Sequence, residues 1–201
     1  PAIRVLQGIG LDEAYAFLGR LGLHDQERGP DFYGYGLAVG GIYTSLDRIV
    51  RAYGVLAREG RSYELRFLAD SPPQAESALL SENSARMASL FLSDPEARLP
   101  SFASTALTNF PFPVAVKTGT SNGFRDAWAL GYSRRYVAGI WIGHSGNREM
   151  NHVAGSTAAE LLLELFKALQ PGAVQGIDEE AFPPPRSWQA FRLCPDSGYL
   201  A

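Results

Sequence analysis

The sequence has 201 residues, of which 46% are hydrophobic and 19% are charged, a composition typical of one globular domain with a sizeable core. Its formal net charge of -3 argues against a nucleic-acid-binding surface. The single cysteine, Cys194, excludes a disulfide within the chain and a cysteine-rich zinc site. The histidines also lack the spacing of a zinc site, so we expect neither a metal nor a cofactor.

No apolar run in the sequence has the length of about 18 residues that a membrane-spanning helix needs. The sequence begins Pro1-Ala2-Ile3 rather than with methionine. We therefore expect it to be a fragment of something longer, cut at both ends.

The first half of the chain is predicted to be mainly helical. Apolar residues at helical spacing predict two helices within residues 1–23, with the second beginning after Gly10. Residues 29–41 are rich in glycine and aromatic residues, which predicts a loop with close backbone packing and no nucleotide-binding fingerprint. Two further helices are predicted over 46–57 and 85–92, separated by short β-like pieces.

The second half of the chain is predicted to form a sheet backed by a helix. Three consecutive strands over 114–121, 127–132 and 136–142 predict an antiparallel meander. A long helix over 158–169 follows, with a cap from the Ser156–Thr157 pair. Helices followed by a hairpin-connected sheet and a last helix indicate the α+β fold class.

One predicted strand, residues 114–121, ends in polar residues, and we call it the motif strand. After the apolar Val116 it carries Lys117, Thr118, Gly119 and Thr120. Burying an ammonium group without a partner is costly, so a lysine on an otherwise apolar strand needs a reason. A glycine inside a strand indicates that a ligand or another backbone comes close.

Three protein families use letters similar to Lys-Thr-Gly-Thr. A P-loop is excluded because Val116, not glycine, precedes Lys117. The phosphorylated Asp-Lys-Thr-Gly-Thr of P-type ATPases is excluded because Val116 stands where its aspartate would be. The Lys-Thr-Gly element of penicillin-binding proteins and serine β-lactamases, which lies on a strand beside the active site, agrees with the predicted strand.

The whole pattern resembles the transpeptidase domain of class A penicillin-binding proteins. Lys-Thr-Gly alone is a weak motif, but the flanking strands and an upstream glycine-rich segment match as well. The matching segments are residues 1–6, 36–41, 44–47, 51–53, 114–121, 126–132 and 137–143, together with the junction at 193–198.

The resemblance implies the penicillin-binding protein and serine β-lactamase fold, an antiparallel sheet flanked by helices, with the N-terminal part of the domain missing from this chain. Residues 1–176 are then the C-terminal portion of the transpeptidase domain, and 177–201 a linker toward a further C-terminal domain. It also implies a preceding glycosyltransferase domain and a location at the periplasmic face of the inner membrane, with an N-terminal anchor absent here.

The implied activity is peptidoglycan D,D-transpeptidation through an acyl-enzyme, with D-Ala-D-Ala stem peptides as acyl donors and β-lactams as inhibitors. Lys117 and Thr120 carry the implied catalytic roles, as the partner of the Ser-x-Asn serine and as one oxyanion-hole N–H. Thr118, Gly119 and Ser121 are implied to bind substrate. No nucleic-acid partner is expected.

The chain departs from the family in lacking the nucleophile motif Ser-x-x-Lys. The residues three positions before its only two lysines are Val114 and Glu164. We therefore expect the missing N-terminal part of the same protein to carry both Ser-x-x-Lys and Ser-x-Asn. Ser81-Glu82-Asn83 spells Ser-x-Asn, but its place at a predicted helix start indicates an N-cap.

Two alternatives remain open at this point. The chain can be a degenerate, non-catalytic domain that binds a peptide or a partner. It can also be a Ser-His-Asp hydrolase that uses Ser145 with His152 or His24, although Asn147 stands where the nucleophile elbow has its last glycine.

Overall fold

The computed structural model describes residues 1–25, 27–68, 70–72, 75–98, 110–151, 153–176, 181–189, 191 and 194. Residues 99–109, Pro73, His152 and most of the predicted linker lie outside this part of the chain.

The chain opens with two helices, as predicted. Helix α1 (Ala2–Ile9) and helix α2 (Leu11–Arg20) are separated at Gly10, whose φ of 98° most residues adopt only with strain. The two helices pack through Leu6 and Tyr15 in a small core that also contains Leu37.

The predicted loop over 29–41 is wrong, because this stretch is helical. It forms helix α3 (Pro30–Tyr33) and a 3-10 helix (Gly34–Val39). Proline at the first helical position fixes a suitable φ, and Gly34 and Gly40 take positive φ at the ends of the two pieces. The expected close backbone packing is present, since a Cβ on Gly41 would lie 2.9 Å from the backbone oxygen of Gly36.

Two longer helices follow, joined by a small sheet. Helix α4 (Leu46–Ala57) confirms its prediction, and helix α5 (Glu82–Ser93) begins earlier than predicted. Between them, β1 (Arg61–Ser62) pairs with β2 (Ser77–Ala78) in an antiparallel ladder. The one-turn helix α6 (Pro95–Arg98) follows α5.

The predicted meander is confirmed. Strands β3 (Ala115–Thr120), β4 (Asp126–Tyr132) and β5 (Val137–Gly143) form an antiparallel sheet in the order β3-β4-β5. The motif strand is thus β3, at the edge of this sheet. In the neighbouring pair of strands, Trp128 of β4 lies opposite Trp141 of β5.

One face of this sheet packs against helix α7 (Gly155–Leu169), which the short helix α8 (Pro171–Val174) follows. Gly131 permits the close approach of α7, since a Cβ there would lie 3.0 Å from the side chains of Leu162 and Phe166. The core on this face consists of buried residues from the sheet and from α7: Val116, Ala127, Ala129, Ala138, Ala158, Ala159, Leu162 and Phe166.

Helices α4 and α5 contact the sheet, and the other face carries a second core. Tyr132 is fully buried there, and burial raises its pKa to about 12 although a hydrogen bond with Ser89 acts in the opposite direction. A three-stranded antiparallel sheet between helices confirms the α+β class. In the described ranges, no helix has both the length and the apolar character that crossing a membrane requires.

The described residues of the predicted linker pack on the domain. The ring of Phe182 meets that of Tyr132 edge-on, with 5.5 Å between centroids, and Pro185 is fully buried. Arg186 donates to the carboxylate of Glu82 at 2.9 Å and, through its backbone N–H, to Asn83 Oδ1 at 2.9 Å. Residues 181–189 are therefore anchored on α5.

Candidate functional site

The motif strand has one paired edge and one open edge. Residues 115–120 of β3 pair along their length with β4. No strand among the described residues pairs with the other edge of β3. Among the described residues, no strand therefore stands in the way of a ligand that adds to the sheet at this edge.

Hydrogen bonding at the end of the strand shows which backbone groups face the open edge. The Ser121 N–H donates to the Asp126 carbonyl at 2.9 Å, so this is a hydrogen-bonded pair of the antiparallel ladder. Since such pairs alternate, residues 117 and 119 direct their N–H and C=O groups toward β4. Thr118 and Thr120 therefore direct theirs toward the open edge.

The side chains of the motif divide between the two faces of the sheet. Val116 lies in the core with α7, and Thr118 and Thr120 follow it on that face at a period of two. Lys117 lies on the opposite face. The structure thus places the hydroxyls of Thr118 and Thr120 on one face and the ammonium group of Lys117 on the other. A ligand that contacts these three groups must run along the open edge.

Lys117 is exposed at this edge. Its Nζ donates to the carbonyl oxygen of Thr118 at 2.6 Å, which itself points to the open edge. No carboxylate of the described residues lies within ion-pair distance of this ammonium group. Because an ammonium group has three N–H donors, Lys117 retains donors for an anionic ligand.

Thr120 connects the motif to the start of α7. Its Oγ1 accepts a hydrogen bond from the Gly155 N–H at 3.0 Å, which satisfies one of the free amides at the helix N-terminus. The predicted cap from Ser156 or Thr157 is wrong, because both lie inside the helix and its N-cap residue, Ala154, forms no side-chain cap.

Gly155 is a positioning residue that the sequence analysis missed. A Cβ at this position would lie 3.0 Å from the Gly119 oxygen and 3.0 Å from Thr118 Cβ. Only a glycine lets the positive end of the α7 dipole approach the motif strand this closely. The signal available in the sequence was a glycine just before the predicted helix.

The remaining predicted site residues lie on or beside the same strand end. Among the described residues, a Cβ on Gly119 would meet Trp128 Cβ at 3.7 Å, an ordinary contact distance. The Ser121 hydroxyl accepts from the Asp126 N–H at 2.8 Å, so it closes the turn between β3 and β4. Arg125, in that turn, pairs with Glu149 at 3.7 Å.

The Ser81-Glu82-Asn83 stretch is an N-cap, as predicted. Ser81 Oγ accepts from the Ser84 N–H at 3.1 Å at the start of α5. Its neighbour Asn83 accepts from Arg186.

The described residues do not support the nucleophile elbow. Ser145 follows β5 in an exposed turn, and the next helix of the described chain begins only at Gly155. His24 is buried and stacks on Tyr15, with 4.0 Å between the ring centroids. Its Nε2 is hydrogen-bonded to the backbone oxygen of Tyr15 at 3.0 Å. The other proposed histidine, His152, lies outside the described residues. In the described part of the chain, no group of three or more histidine, cysteine or acidic side chains could hold a metal.

Comparisons with known proteins identify relatives of the chain, although no protein-family model matches it. It is 36% identical over 170 residues to penicillin-binding protein 1C of Escherichia coli K12, which is 84% of this chain and 21% of that protein. It is 24% identical over 197 residues to penicillin-binding protein 1A of Rickettsia prowazekii, which is 82% of this chain and 24% of that protein. The chain thus spans about a fifth to a quarter of the length of these curated relatives.

A solved structure shows the same fold. The whole chain superposes on 36% of penicillin-binding protein 1A from Haemophilus influenzae with a TM-score of 0.71 and 19% sequence identity. Over most of its length, the chain is therefore a homologue of penicillin-binding proteins 1C and 1A, and it has the penicillin-binding protein fold.

Proposed function

We propose that this chain forms the donor-binding wall of a serine D,D-transpeptidase that cross-links peptidoglycan and is inhibited by β-lactams. The observation that carries the proposal is the exposed Lys117 ammonium on the open edge of β3, without a carboxylate partner among the described residues. The relationship to penicillin-binding proteins supports the same conclusion.

The geometry of the open edge suits a peptide that ends in D-Ala-D-Ala. The terminal carboxylate of such a donor needs a cation and hydroxyl donors. A carboxylate at the open edge would meet Lys117 from one face of the sheet and Thr118 from the other. The peptide backbone would add to the edge as an extra strand and pair with the groups that Thr118 directs outward. Gly119 and Ser121 complete the substrate-binding set.

Thr120 acts through its backbone in this proposal. Its N–H points to the open edge, where it can donate to the carbonyl oxygen under attack and form half of an oxyanion hole. Such a donor, already oriented, stabilises the charge that develops in the transition state. The hydroxyl of Thr120 holds α7 in place through Gly155 and keeps this part of the strand fixed.

The nucleophile comes from outside the 201 residues in our proposal, since neither lysine has a serine three positions before it. A serine hydroxyl attacks the carbonyl carbon of the penultimate D-Ala, an ester forms, and the terminal D-Ala leaves with a proton. An acceptor amine then attacks the ester and forms the new peptide bond, while the ester C–O bond breaks and the serine oxygen takes a proton from the amine. Lys117 also hydrogen-bonds the Ser-x-Asn serine that assists these proton transfers.

We also propose a domain organisation and a location for the protein as a whole. Residues 1–176 form the C-terminal portion of the transpeptidase domain, and 177–201 lead toward a further domain, with 181–189 anchored on α5. The parent protein acts at the periplasmic face of the inner membrane, where peptidoglycan is made, and is held there by a segment outside this sequence.

The direct test is labelling of the complete protein with a fluorescent penicillin. Replacing Lys117 by alanine should slow acylation by about 10²–10³-fold, the usual effect of removing one transition-state donor. Lys167→Ala is the matched control, because Lys167 is the only other lysine of the chain and pairs with Glu164 on α7. It should acylate at the wild-type rate.

Two outcomes would contradict the proposal. A complete protein that penicillin never labels would favour a non-catalytic binding domain. Wild-type labelling of Lys117→Ala would remove Lys117 from the site. The 201-residue chain alone should gain no covalent adduct by mass spectrometry, and an adduct would place a nucleophile inside it.

A further inference from the structure

The binding mode proposed above fixes the direction in which the donor peptide runs. Its terminal carboxylate lies at Lys117 and Thr118, and its reacting carbonyl lies at the Thr120 N–H. The donor therefore runs antiparallel to β3, with its C-terminus toward the start of the strand. The penultimate D-Ala is then paired with Thr120, and the residue before D-Ala-D-Ala lies opposite Ser121. The backbone is still extended at Ser121, with φ −73° and ψ 163°.

The face of the sheet that carries Lys117 also carries Asp126. Ala127 packs in the core with α7, so its neighbour Asp126 points to the opposite face. In an antiparallel ladder, residues directly opposite each other share a face. The pair of Ser121 and Asp126 and an L-residue of the donor opposite Ser121 would therefore direct their side chains to this same face.

The carboxylate of Asp126 is used only in part by the local structure. It is half-buried, and its Oδ1 accepts a hydrogen bond from Trp141 Nε1 at 2.9 Å. Among the described residues, no cationic side chain lies within ion-pair distance of it, since the adjacent Arg125 pairs with Glu149 at 3.7 Å. An asparagine would accept from Trp141 equally well, so this hydrogen bond does not account for a negative charge.

We propose, resting on the function proposed above, that Asp126 selects donors in which the residue before D-Ala-D-Ala has a long side chain ending in an ammonium group. A strand added to the edge of β3 lies two interstrand spacings from β4, or about 10 Å. A short side chain would end above Ser121. A flexible four-carbon stem can cross this small residue and bring its ammonium group to the carboxylate of Asp126.

The arrangement of groups on this face favours an ammonium group over other side-chain ends. Because β5 lies beyond β4 in the sheet order, Trp141 holds Oδ1 of Asp126 from the side away from β3. A ligand at the edge of β3 approaches from the opposite side. An acidic side chain would be repelled there, and a neutral one would form no ion pair. Lys117 lies four positions from Ser121, about 13 Å along the strand, where it binds the terminal carboxylate instead.

The test uses the complete protein and three acetylated tripeptides that end in D-Ala-D-Ala. Their first residue is L-lysine, L-norleucine or L-glutamate, and norleucine keeps the four-carbon stem without the ammonium group. Release of D-Ala gives kcat/KM for each peptide. The wild-type protein should process the lysine peptide roughly 5-fold faster than the norleucine peptide, since a half-exposed ion pair has a modest effect. The glutamate peptide should be the slowest.

Asp126→Asn removes the charge and keeps an oxygen that can accept from Trp141. The ratio of kcat/KM for the lysine and norleucine peptides should fall to about one in this variant. Because both rates come from the same variant, the ratio cancels any general loss of activity. Glu160→Gln is the matched control, since Glu160 is exposed on α7, on the other face of the sheet, and its substitution makes the same change in net charge. It should keep the wild-type ratio.

Three results would overturn the role of Asp126. The wild-type protein can process the lysine and norleucine peptides equally, the preference can survive in Asp126→Asn, or Glu160→Gln can abolish it as fully. Labelling with fluorescent penicillin separates these results from a failure of the proposed function. A protein that penicillin labels but that has no preference for lysine contradicts only the selectivity assigned to Asp126. A complete protein that is never labelled contradicts both proposals.

Discussion

The motif strand carries Lys-Thr-Gly-Thr, and the start of helix α5 carries Ser81-Glu82-Asn83, which only spells Ser-x-Asn. The two stretches use their polar groups differently. At the start of α5, Ser81 caps the helix and Asn83 binds Arg186, so local structure occupies both side chains. On the motif strand, Lys117 is exposed, and the Thr118 hydroxyl forms no hydrogen bond with the described residues.

The difference shows how a structural motif can be separated from a functional one. A helix cap contributes about 1 kcal/mol to stability, which is reason enough for a serine at that place. An exposed lysine on a strand edge contributes almost nothing to folding. We therefore propose a ligand, rather than the fold, as the reason for Lys117 on β3.

The largest effect on stability is expected next to α5, at Gly60. Its φ is +95°, and a Cβ would lie 2.3 Å from the Leu80 oxygen. Gly60→Ala should therefore lower the free energy of unfolding by about 3 kcal/mol, from backbone strain plus overpacking. Urea denaturation with an unchanged m-value measures this loss.

Gly22→Ala is the control that separates the two causes. Gly22 also has a positive φ, +76°, but, apart from its chain neighbours, no atom of the described residues lies within 4 Å of its Cβ position. It should lose only about 1 kcal/mol. Equal losses in the two variants would show that the contact with Leu80 has no energetic consequence.

The two threonines of the motif strand should behave differently in stability. Thr120→Val removes the acceptor for the Gly155 N–H and should cost about 1 kcal/mol, as loss of a cap does. Thr118→Val should stay within about 0.5 kcal/mol. Thermal unfolding measures both, and an equal loss at Thr118 would mean that its hydroxyl has a structural partner.

Ser81→Ala tests the start of helix α5, the second region of the comparison. Loss of the cap on α5 should cost about 1 kcal/mol, and Ser81→Gly only a few tenths. Neither change should alter penicillin acylation of the complete protein. A 100-fold slower acylation of a stably folded Ser81→Ala variant would instead make Ser81 the serine of a catalytic Ser-x-Asn.

Much of the fold followed from local patterns in the sequence. Two short apolar runs joined by a polar turn predicted β4 and β5, the apolar face of residues 46–57 predicted α4, and a long, mostly apolar stretch predicted α7. Glycines misled the prediction at 29–41, because there they end short helical pieces rather than prevent them. Local sequence patterns predicted which segments form helices and strands better than they predicted where each element begins and ends.

The candidate site was less predictable, because its geometry depends on tertiary contacts. The period of two in a strand places Lys117 and Thr118 on opposite faces. The orientation of their backbone groups, however, required the Ser121–Asp126 hydrogen bond. The cap of α7 comes from Thr120, a residue 35 positions before Gly155, and no local rule for helix starts identifies it.

A further prediction is a pH dependence of stability at Glu59, which links α5 to the turn after β4. Glu59 Oε2 lies 3.0 Å from Arg86, and Oε1 lies 3.0 Å from Arg134. Burial acts to raise the pKa of Glu59, but the hydrogen bonds and charges of the two arginines outweigh it and hold the pKa below its usual value of 4.5. The folded state therefore favours the ionised form.

A depressed pKa stabilises the fold above the unfolded-state pKa, and this contribution is lost as pH falls through the folded-state pKa. Glu59→Gln should thus lower the free energy of unfolding by about 1 kcal/mol at pH 7, and the difference from wild type should shrink below about pH 4.5. Glu160→Gln, on the exposed side of α7, should match wild type throughout. Urea titrations between pH 7 and pH 3 measure both variants. A difference at Glu59 that stays constant over this range would mean that its charge does not stabilise the link between α5 and the turn, and that shape alone holds the two together.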